Sequence, residues 1–553
     1  MKKQVSLIIL FLCVLGLSAV SVDVFSAQRV AQSHLARISD QTHDIFHDRS
    51  IDSGSVPLAH VFGLEPIGYI VVSADDALPP VIAYSTESAF SATDGDLLEE
   101  LIRADLRLRL EQKALADDAQ RARISRQWQE LTANLPQRDF EQWPPAGYSP
   151  TQGWIKTLWT QNGPYNMFCP IDPVSGQRSL AGCPAVAMAQ IVNYYQTINL
   201  TAFSDADDYL HNYAGRTYWI DDDASARDFP TWPELNTLLD TMMHHYRYQE
   251  TQSDEDKAAL VYALGVAAHQ VYTSSGSGTF GVNQAFAAMQ RFAFEGMELI
   301  TQDSPEVYNR MAQNMMDAKP VLLAVVTPAW DSGHNVVVDG YNTDDFFHLN
   351  FGWGGSYNGW YLLPSQIPYN LTVLEGAIVD INPKTFLFAV PEVVEFTTYE
   401  SVHNPQILEI LNISDMPVTI EVVNPFPPYL GEAGLSCQHP ALPFVLNPGQ
   451  SIIIDLEWFW VDGIPRVIFE GRIEIIHSAG VFTVPMRIDT SFFYSGADDE
   501  VQTPQLSLKT YPNPFAQRLE CDLKLEQSGS VALTLFNLRG QRVKSRLLPA
   551  LEK

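Results

Sequence analysis

The longest unit of this chain, residues 146–385, reads as an α+β fold, and residues 386–495 after it read as all-β. Two observations predict the first. Apolar residues recur at helical spacing through 184–196, 231–244, 257–272, 282–294 and 305–317. Apolar strand runs then follow at 321–326, 335–341, 345–351 and 359–363, so a helical half precedes an antiparallel half. A third observation predicts the second unit. Short alternating runs such as 418–423 and 451–456 are separated by turns, which suggests an immunoglobulin-like β-sandwich.

The elements before and after these units can be taken in chain order. Lys2 and Lys3 precede an apolar run from Val5 to Leu17, too short to span a bilayer. Ala19, Val20 and Ser21 offer a cleavage site after Ser21, so residues 1–21 read as a secretory signal peptide and the chain as secreted or cell-surface. Residues 22–145 form a first α+β unit. It holds strand-like runs at 68–73 and 81–84 and one long helical pattern from Leu97 to Leu131. Trp143 to Gly147 breaks that pattern and reads as an exposed connector. A polar linker covers 495–500, and residues 505–553 begin a new strand series.

Charge narrows the partners. The 553 residues carry 65 acidic and 34 basic side chains, a net charge of −31. Such a chain repels nucleic acid and anionic lipid, and no later run is long enough for a membrane span. The acidic runs 205–208 and 221–223 lack the alternating ligands of a calcium loop, so no metal is expected. Cys13 leaves with the signal, and Cys169, Cys183, Cys437 and Cys521 remain. Four cysteines in so long a secreted chain do not make a disulfide scaffold, so a reactive thiol is the better question.

Cys183 is the candidate. It precedes Pro184 and a run of helix formers, and proline suits the first helical position. A thiol at that cap gains from the helix dipole and the free backbone N–H groups. Gly182 before it allows a substrate backbone to approach. Such a thiol needs a histidine from elsewhere in the chain. His334 follows Gly333 and opens an apolar strand. The next strand carries Asn350, and in a hairpin that amide is expected to reach the His334 ring and fix its tautomer. Trp353 is expected to cover that bond.

The segments GCPAVAMAQIVNYY, GHNVVVDGYN and FHLNFGWGGSYNGWYLL together resemble the streptopain family of papain-like cysteine peptidases, over roughly residues 22–385. The resemblance implies a papain-like fold for 146–385, with Cys183 and His334 as the catalytic pair. It makes Gln161 the oxyanion-hole side chain, within LWTQNGPYN. It makes Ser277 and Gly333 contacts to bound peptide, and it carries over a weak preference for an apolar residue two before the scissile bond. Phe351 stands where Trp is common, and Pro184 where Val is common.

Residues 22–145 resemble the family's propeptide, implying an intramolecular inhibitor that covers the groove and blocks His334 until cleavage near 137–150. TYPNPF and VALTLFNLRGQRV in the tail resemble the sorting domains of type IX secretion, implying a partner in that machinery. The tail ends at Lys553, short for such a domain, so a truncated sorting domain is expected. The activity implied is that of a zymogen endopeptidase acting on proteins or peptides through a Cys–His thioester, with no cofactor. The chain holds neither an HExxH zinc motif nor a GxSxG elbow. A Cys/His amidase or transamidase, and an inactive adhesion protein using the sandwich, are the competing readings.

Overall fold

The computed structural model describes residues 21–39, 42–90, 97–113, 116–133, 140–301, 305–326, 333–363, 373–397, 404–426, 435–458 and 468–489, with strands at 507–511, 520–524, 529–536 and 542–551. The signal-peptide residues 1–20 and the linker at 495–500 lie outside these, as does most of TYPNPF. The chain divides into two compact units, Met1–Pro383 and Lys384–Lys553.

The first unit opens with α1 (Val24–Ile38), capped by Asp23, whose carboxylate accepts from Ser26 N–H at 2.9 Å. Four strands follow: β1 (Asp44–Ser53), β2 (Val56–Glu65), β3 (Tyr69–Ser73) and β4 (Val81–Ser85). The single long helix expected over 97–131 is two helices, α2 (Leu97–Gln112) and α3 (Asp118–Ala133). The reason is local. The Asp117 carboxylate accepts from Gln120 N–H at 2.8 Å, and the Gln120 side chain accepts from Asp117 N–H at 3.0 Å. That reciprocal box starts a new helix inside a pattern whose periodicity alone reads as continuous.

The connector also differs from its expectation. Residues 142–143 form β5 (Gln142–Trp143), paired with the strand carrying Tyr341, and the Trp143 and Tyr341 rings stack at 6.2 Å. The continuous exposed stretch is 145–148.

Then come α4 (Cys183–Tyr195), the hairpin β6 (Tyr209–Tyr213) and β7 (Arg216–Ile220), α5 (Ala224–Arg227), α6 (Trp232–Tyr248), α7 (Asp254–Ala267) and α8 (Val282–Arg291). The antiparallel half holds β8 (Glu298–Ile300), α9 (Pro305–Met316), β9 (Val321–Val326), β10 (Gly333–Asn342), β11 (Phe346–Asn350), β12 (Gly359–Leu362) and β13 (Val373–Val379). The helices and strands expected here form within a few residues of their predicted bounds. α7 ends at Ala267, short of the predicted 272, where His269 and Gln270 close the helix with bonds back to Val266 and Gly265.

One sheet joins the two ends of this unit, in the order β1-β2-β3-β4-β12-β11-β10-β9-β13-β8. Its seam is antiparallel pairing of Tyr84 with Trp360 and Ala83 with Tyr361. Tyr84 stacks on Trp360, accepts from the Asn342 amide at 2.9 Å, and is fully buried with Trp360 and Tyr361. Burying each such aromatic contributes about 2–3 kcal/mol, so the seam is a core and not a loose contact. One face of β9, β10 and β13 packs against the apolar helices, with Ala324, Val337 and Ile378 in that core. The other face, with Val325, Val336 and Leu374, packs on α9.

In the second unit β14 (Leu387–Val390), β16 (Asn404–Asn412), β20 (Ser451–Trp458) and β18 (Leu435–Gln438) form one sheet. β15 (Val394–Thr397), β22 (Gly480–Asp489), β21 (Ile468–His477), β17 (Val418–Phe426) and β19 (Phe444–Leu446) form another. Burial alternates along β20, where Ile452, Ile454, Leu456 and Trp458 are buried, as a sheet with one covered face requires. Residues 507–511 pair with 520–524, and 529–536 with 542–551. No helix of the described residues is long and apolar enough to cross a membrane.

Candidate active site

α4 begins at Cys183 itself, with Pro184 behind it and Gly182 as the cap. Gly182 has φ +83°, and a Cβ there would lie 2.6 Å from Gln270 Oε1. Gln270 is fully buried and donates to Ala181 O at 2.7 Å, so it cannot step aside. Glycine is therefore required for Cys183 to stand at the helix tip. The helix is held by its apolar face, from Ala185 to Val192, against α7 and β10.

The thiol's hydrogen-bond partner is Asn335, whose Nδ2 lies 3.9 Å from Sγ. Sequence reasoning passed over Asn335, which stands directly after His334. The Asn335 backbone N–H and amide both pull the Cys183 thiol down, but burial outweighs them and pushes it up.

His334 starts β10 and is buried. Its Nε2 donates to Phe351 O at 3.0 Å, and its ring lies 4.4 Å from the Trp353 ring. Burial pushes the imidazole down to about 4, against the pull of the Phe351 carbonyl. Among the described residues no hydrogen bond joins His334 to Cys183. Burial thus disfavours the charged form of both groups.

The expected Asn350–His334 bond does not form, and strand register is the reason. Asn350 pairs with Val337, three residues along β10 from His334. Its amide instead meets Gln190 of α4 in a reciprocal pair, at 3.2 and 3.3 Å, and donates to Thr157 O at 3.0 Å. Asn350 Oδ1 also accepts from Gly352 N–H at 3.0 Å. That bond turns the chain so that the Phe351 carbonyl meets His334. Asn350 therefore acts on His334 one residue removed, while Trp353 sits over the ring directly.

Gln190 is a second residue that sequence reasoning missed. It is fully buried, and its Oε1 also accepts from Thr157 Oγ1 at 2.9 Å and Trp159 N–H at 3.3 Å. Its signal was present: one amide in an otherwise apolar helical run two turns after Cys183. Through Thr157 and Trp159 it fixes the segment leading to Gln161. The Gln161 carbonyl accepts from Ala181 N–H at 2.9 Å, two residues before Cys183.

The loop with Ser277 is anchored rather than loose. Ser277 Oγ bonds Thr273 in both directions at 3.1 Å, and Leu180 N–H donates to Thr273 O at 3.0 Å. Ser274 donates twice to Asp172, itself clamped by Arg216 at 2.8 and 2.9 Å. Gly333 is exposed at the start of β10, opposite Val326. Among the described residues no group of three metal-binding side chains converges.

Residues 159–361 match the model of the Peptidase C10 family, and residues 19–102 match that of the Spi protease inhibitor. The chain is 26% identical over 319 residues to thiol protease/hemagglutinin PrtT of Porphyromonas gingivalis, covering 56% of this chain and 34% of that one. It thus spans about a third of the length of that relative. It is 24% identical over 347 residues to streptopain of Streptococcus pyogenes, covering 58% of this chain and 77% of that one. It is also similar to the prointerpain A fragment of Prevotella intermedia, at 21% identity and a TM-score of 0.42, over 62% of this chain and 100% of that one. The chain thus carries a streptopain-like cysteine peptidase domain, matching the Peptidase C10 family over residues 159–361, behind an inhibitor-type amino-terminal region.

Proposed function

We propose that this chain is the zymogen of a secreted cysteine endopeptidase that hydrolyses peptide bonds through a thioester on Cys183. The observation that carries the reading is the thiol at the tip of α4, facing the strand residue next to His334. In the active form the Cys183 thiolate attacks the peptide carbonyl carbon. The Gln161 amide and the Cys183 N–H stabilise the resulting oxyanion. His334 gives its proton to the leaving amine as the C–N bond breaks. Water, losing a proton to His334, then opens the thioester and restores the thiol.

The form described here is a resting one. His334 and Asn335 lie on opposite faces of β10 and the thiol meets Asn335, so the imidazole must swing round before it can pair with Cys183. Residues 22–145 are the propeptide in this reading, supported by their junction with the peptidase sheet through Tyr84 and Trp360. Ser88 Oγ also donates to Gly355 O at 2.8 Å, bracing the turn that carries Trp353. Cleavage falls in the exposed stretch 145–148 or just before it. Ser277 and Gly333 flank the peptide backbone. The β14–β22 region is an immunoglobulin-like sandwich, a reading its alternating burial supports, and residues 505–553 serve as an address for type IX secretion.

The test is casein digestion by the processed chain beside Cys183→Ala, with folding checked by melting temperature. Loss of digestion in folded Cys183→Ala is expected. Equal digestion by that variant would reject the proposal.

A further inference from the structure

Between Gln161 and Cys183 the chain makes an excursion that the proposed proton transfers do not need. Ile171 bridges to Arg178, and residues 173–177 between them form an exposed turn. At its base stands Asp172, fully buried. Its Oδ1 accepts from Val174 N–H at 2.9 Å and from Arg216 Nε at 2.8 Å. The Val174 bond is the local contact by which an aspartate folds its own turn. Its Oδ2 reaches a segment 102 residues further on, accepting from Ser274 N–H at 3.0 Å and Ser274 Oγ at 2.9 Å, beside Arg216 Nη2 at 2.9 Å. Ser175 Oγ of the same turn donates to Ser274 Oγ at 2.8 Å. Bonds to a carboxylate are charge-assisted and directional, so Asp172 and Arg216 fix where Ser274 stands.

Ser274 belongs to a loop whose base is closed by Val271 and Gly278, with N–H to carbonyl bonds of 2.9 and 3.0 Å. Inside it Gly276 N–H donates to Thr273 Oγ1 at 2.9 Å, and Ser277 Oγ bonds Thr273. These internal bonds fix the loop's shape but not its place. Its place is set from outside, by Leu180 N–H on Thr273, by Asp172 on Ser274, and by β6, where His211 Nε2 accepts from Tyr272 N–H at 2.8 Å. Arg216 opens β7, so one hairpin braces both the loop and the carboxylate. Tyr209 of that hairpin donates to Gln270 O at 2.7 Å, and Gln270 abuts Gly182 at the helix tip. Loop, turn and helix tip are thus tied together. A loop that has to be ordered on binding subtracts that cost from affinity, and one held beforehand does not.

We infer that Asp172, held by Arg216, is a positioning residue for substrate: its bonds to Ser274 fix the 273–277 loop where Ser277 meets the peptide backbone. The inference rests on the peptidase reading above and deepens it. Asp172 touches no reacting atom. It acts by removing an ordering cost, so it serves substrates long enough to lie along the loop and not those that reach only the thiol.

The experiment uses the processed full chain and two p-nitrophenyl esters with the same reacting residue, one an acetylated single residue and the other a tetrapeptide. In the parent, kcat/KM for the tetrapeptide should exceed that for the single residue by about tenfold or more, since binding away from the reacting centre supports the reaction. Asp172→Asn replaces one acceptor oxygen by a donor. It should lower the tetrapeptide-to-single-residue ratio by about tenfold, as the loss of two hydrogen bonds provides. Ser274→Ala leaves the Asp172–Arg216 pair and the backbone N–H bond in place, and should lower the ratio by about threefold. A purely structural role would scale both esters by the same folded fraction, so the ratio separates positioning from stability even where Asp172→Asn melts earlier. If Asp172→Asn fails to fold, Ser274→Ala decides. A ratio unmoved in the folded variants, or a parent that takes both esters equally, overturns the positioning role and leaves the peptidase intact. Absence of iodoacetamide-sensitive hydrolysis of either ester by the parent sinks the peptidase reading, and the positioning role with it.

Discussion

The separation of Cys183 from His334 in the intact chain predicts how the thiol should react as pH changes. Burial pushes the thiol up, so its pKa lies above the ordinary value of about 8.5. Less than about 3% is thiolate at pH 7, and less than about 0.03% at pH 5. His334, pushed down to about 4, is neutral across that range and offers no compensating charge. A thiolate held by an imidazolium has a pKa near 3–4, so it is fully ionised at both values. Ionisation alone favours the processed form by about thirtyfold at pH 7 and about three thousandfold at pH 5. Low-pKa thiolates are weaker nucleophiles. A five-unit difference costs about two-hundredfold in intrinsic rate, on the trend seen for thiol exchange. Together they leave the intact form about sevenfold faster at pH 7 and the processed form about fifteenfold faster at pH 5, so the order reverses between them. A single rate at neutral pH therefore decides nothing, and the slope decides. Iodoacetamide alkylation of the intact chain should rise about tenfold per pH unit from 5 to 8, while the processed chain stays nearly flat. The Cys183→Ala chain supplies the blank, and Cys169, pushed up to about 12 by burial, contributes little. A flat profile in the intact chain would refute the separation of the pair.

Three further outcomes follow from the same geometry. Gly182→Ala adds strain at a positive φ and a clash with pinned Gln270, on the order of 2–5 kcal/mol together; a denaturation midpoint unchanged from that of glycine, in a Cys183→Ala background, contradicts it. Asp172→Asn leaves Arg216 without the buried carboxylate it pairs with and should lower stability at pH 7. The Arg216 bonds hold the Asp172 carboxyl far below its unfolded value near 3.9. The stabilisation is therefore present above that value and fades as pH falls below it, so the gap between variant and parent should narrow toward pH 2. Trypsin-free limited proteolysis with a broad protease should nick 145–148 before Trp143, because only the former stretch is exposed and unpaired; first cleavage at Trp143 would show that β5 is not formed.

Sequence made the helix-tip position of Cys183 legible because its signal is local. Gly182, Cys183 and Pro184 specify a helix start, and the apolar run after them specifies what that helix buries. The strands from β9 to β12 were legible for the same kind of reason, since alternation and turn residues act over a few positions. The partnership of Asn350 was not, because it depends on register between strands. A hairpin puts Asn350 somewhere opposite β10, but only the pairing with Val337 decides that it misses His334 and meets Gln190. The break between α2 and α3 was hidden by a periodicity that continues across it, although the Asp117–Gln120 box was there to be read.

The junction of the amino-terminal strands with the peptidase sheet also gives the zymogen proposed above a source of stability. β4 occupies the hydrogen-bonding edge of β12, and an unpaired edge is a poor end state for a strand bearing buried Trp360 and Tyr361. Sheet pairing therefore holds residues 22–145 in place without drawing on the catalytic groups. The chain between β11 and β12 carries the Phe351 carbonyl, Trp353 and Gly355, and Ser88 grips it from the amino-terminal side. A contact at the sheet edge thus bears on the turn that retains His334, one hydrogen bond away. Weakening that grip should loosen the carbonyl's hold on the ring even while β4 remains paired, so edge pairing and histidine release are separable. Ser88→Ala, which removes one and leaves the other, should therefore flatten the alkylation slope of the intact chain without lowering its melting temperature by more than about 1.5 kcal/mol of stability implies. A slope as steep as that of the parent chain would place control of His334 elsewhere than at Gly355.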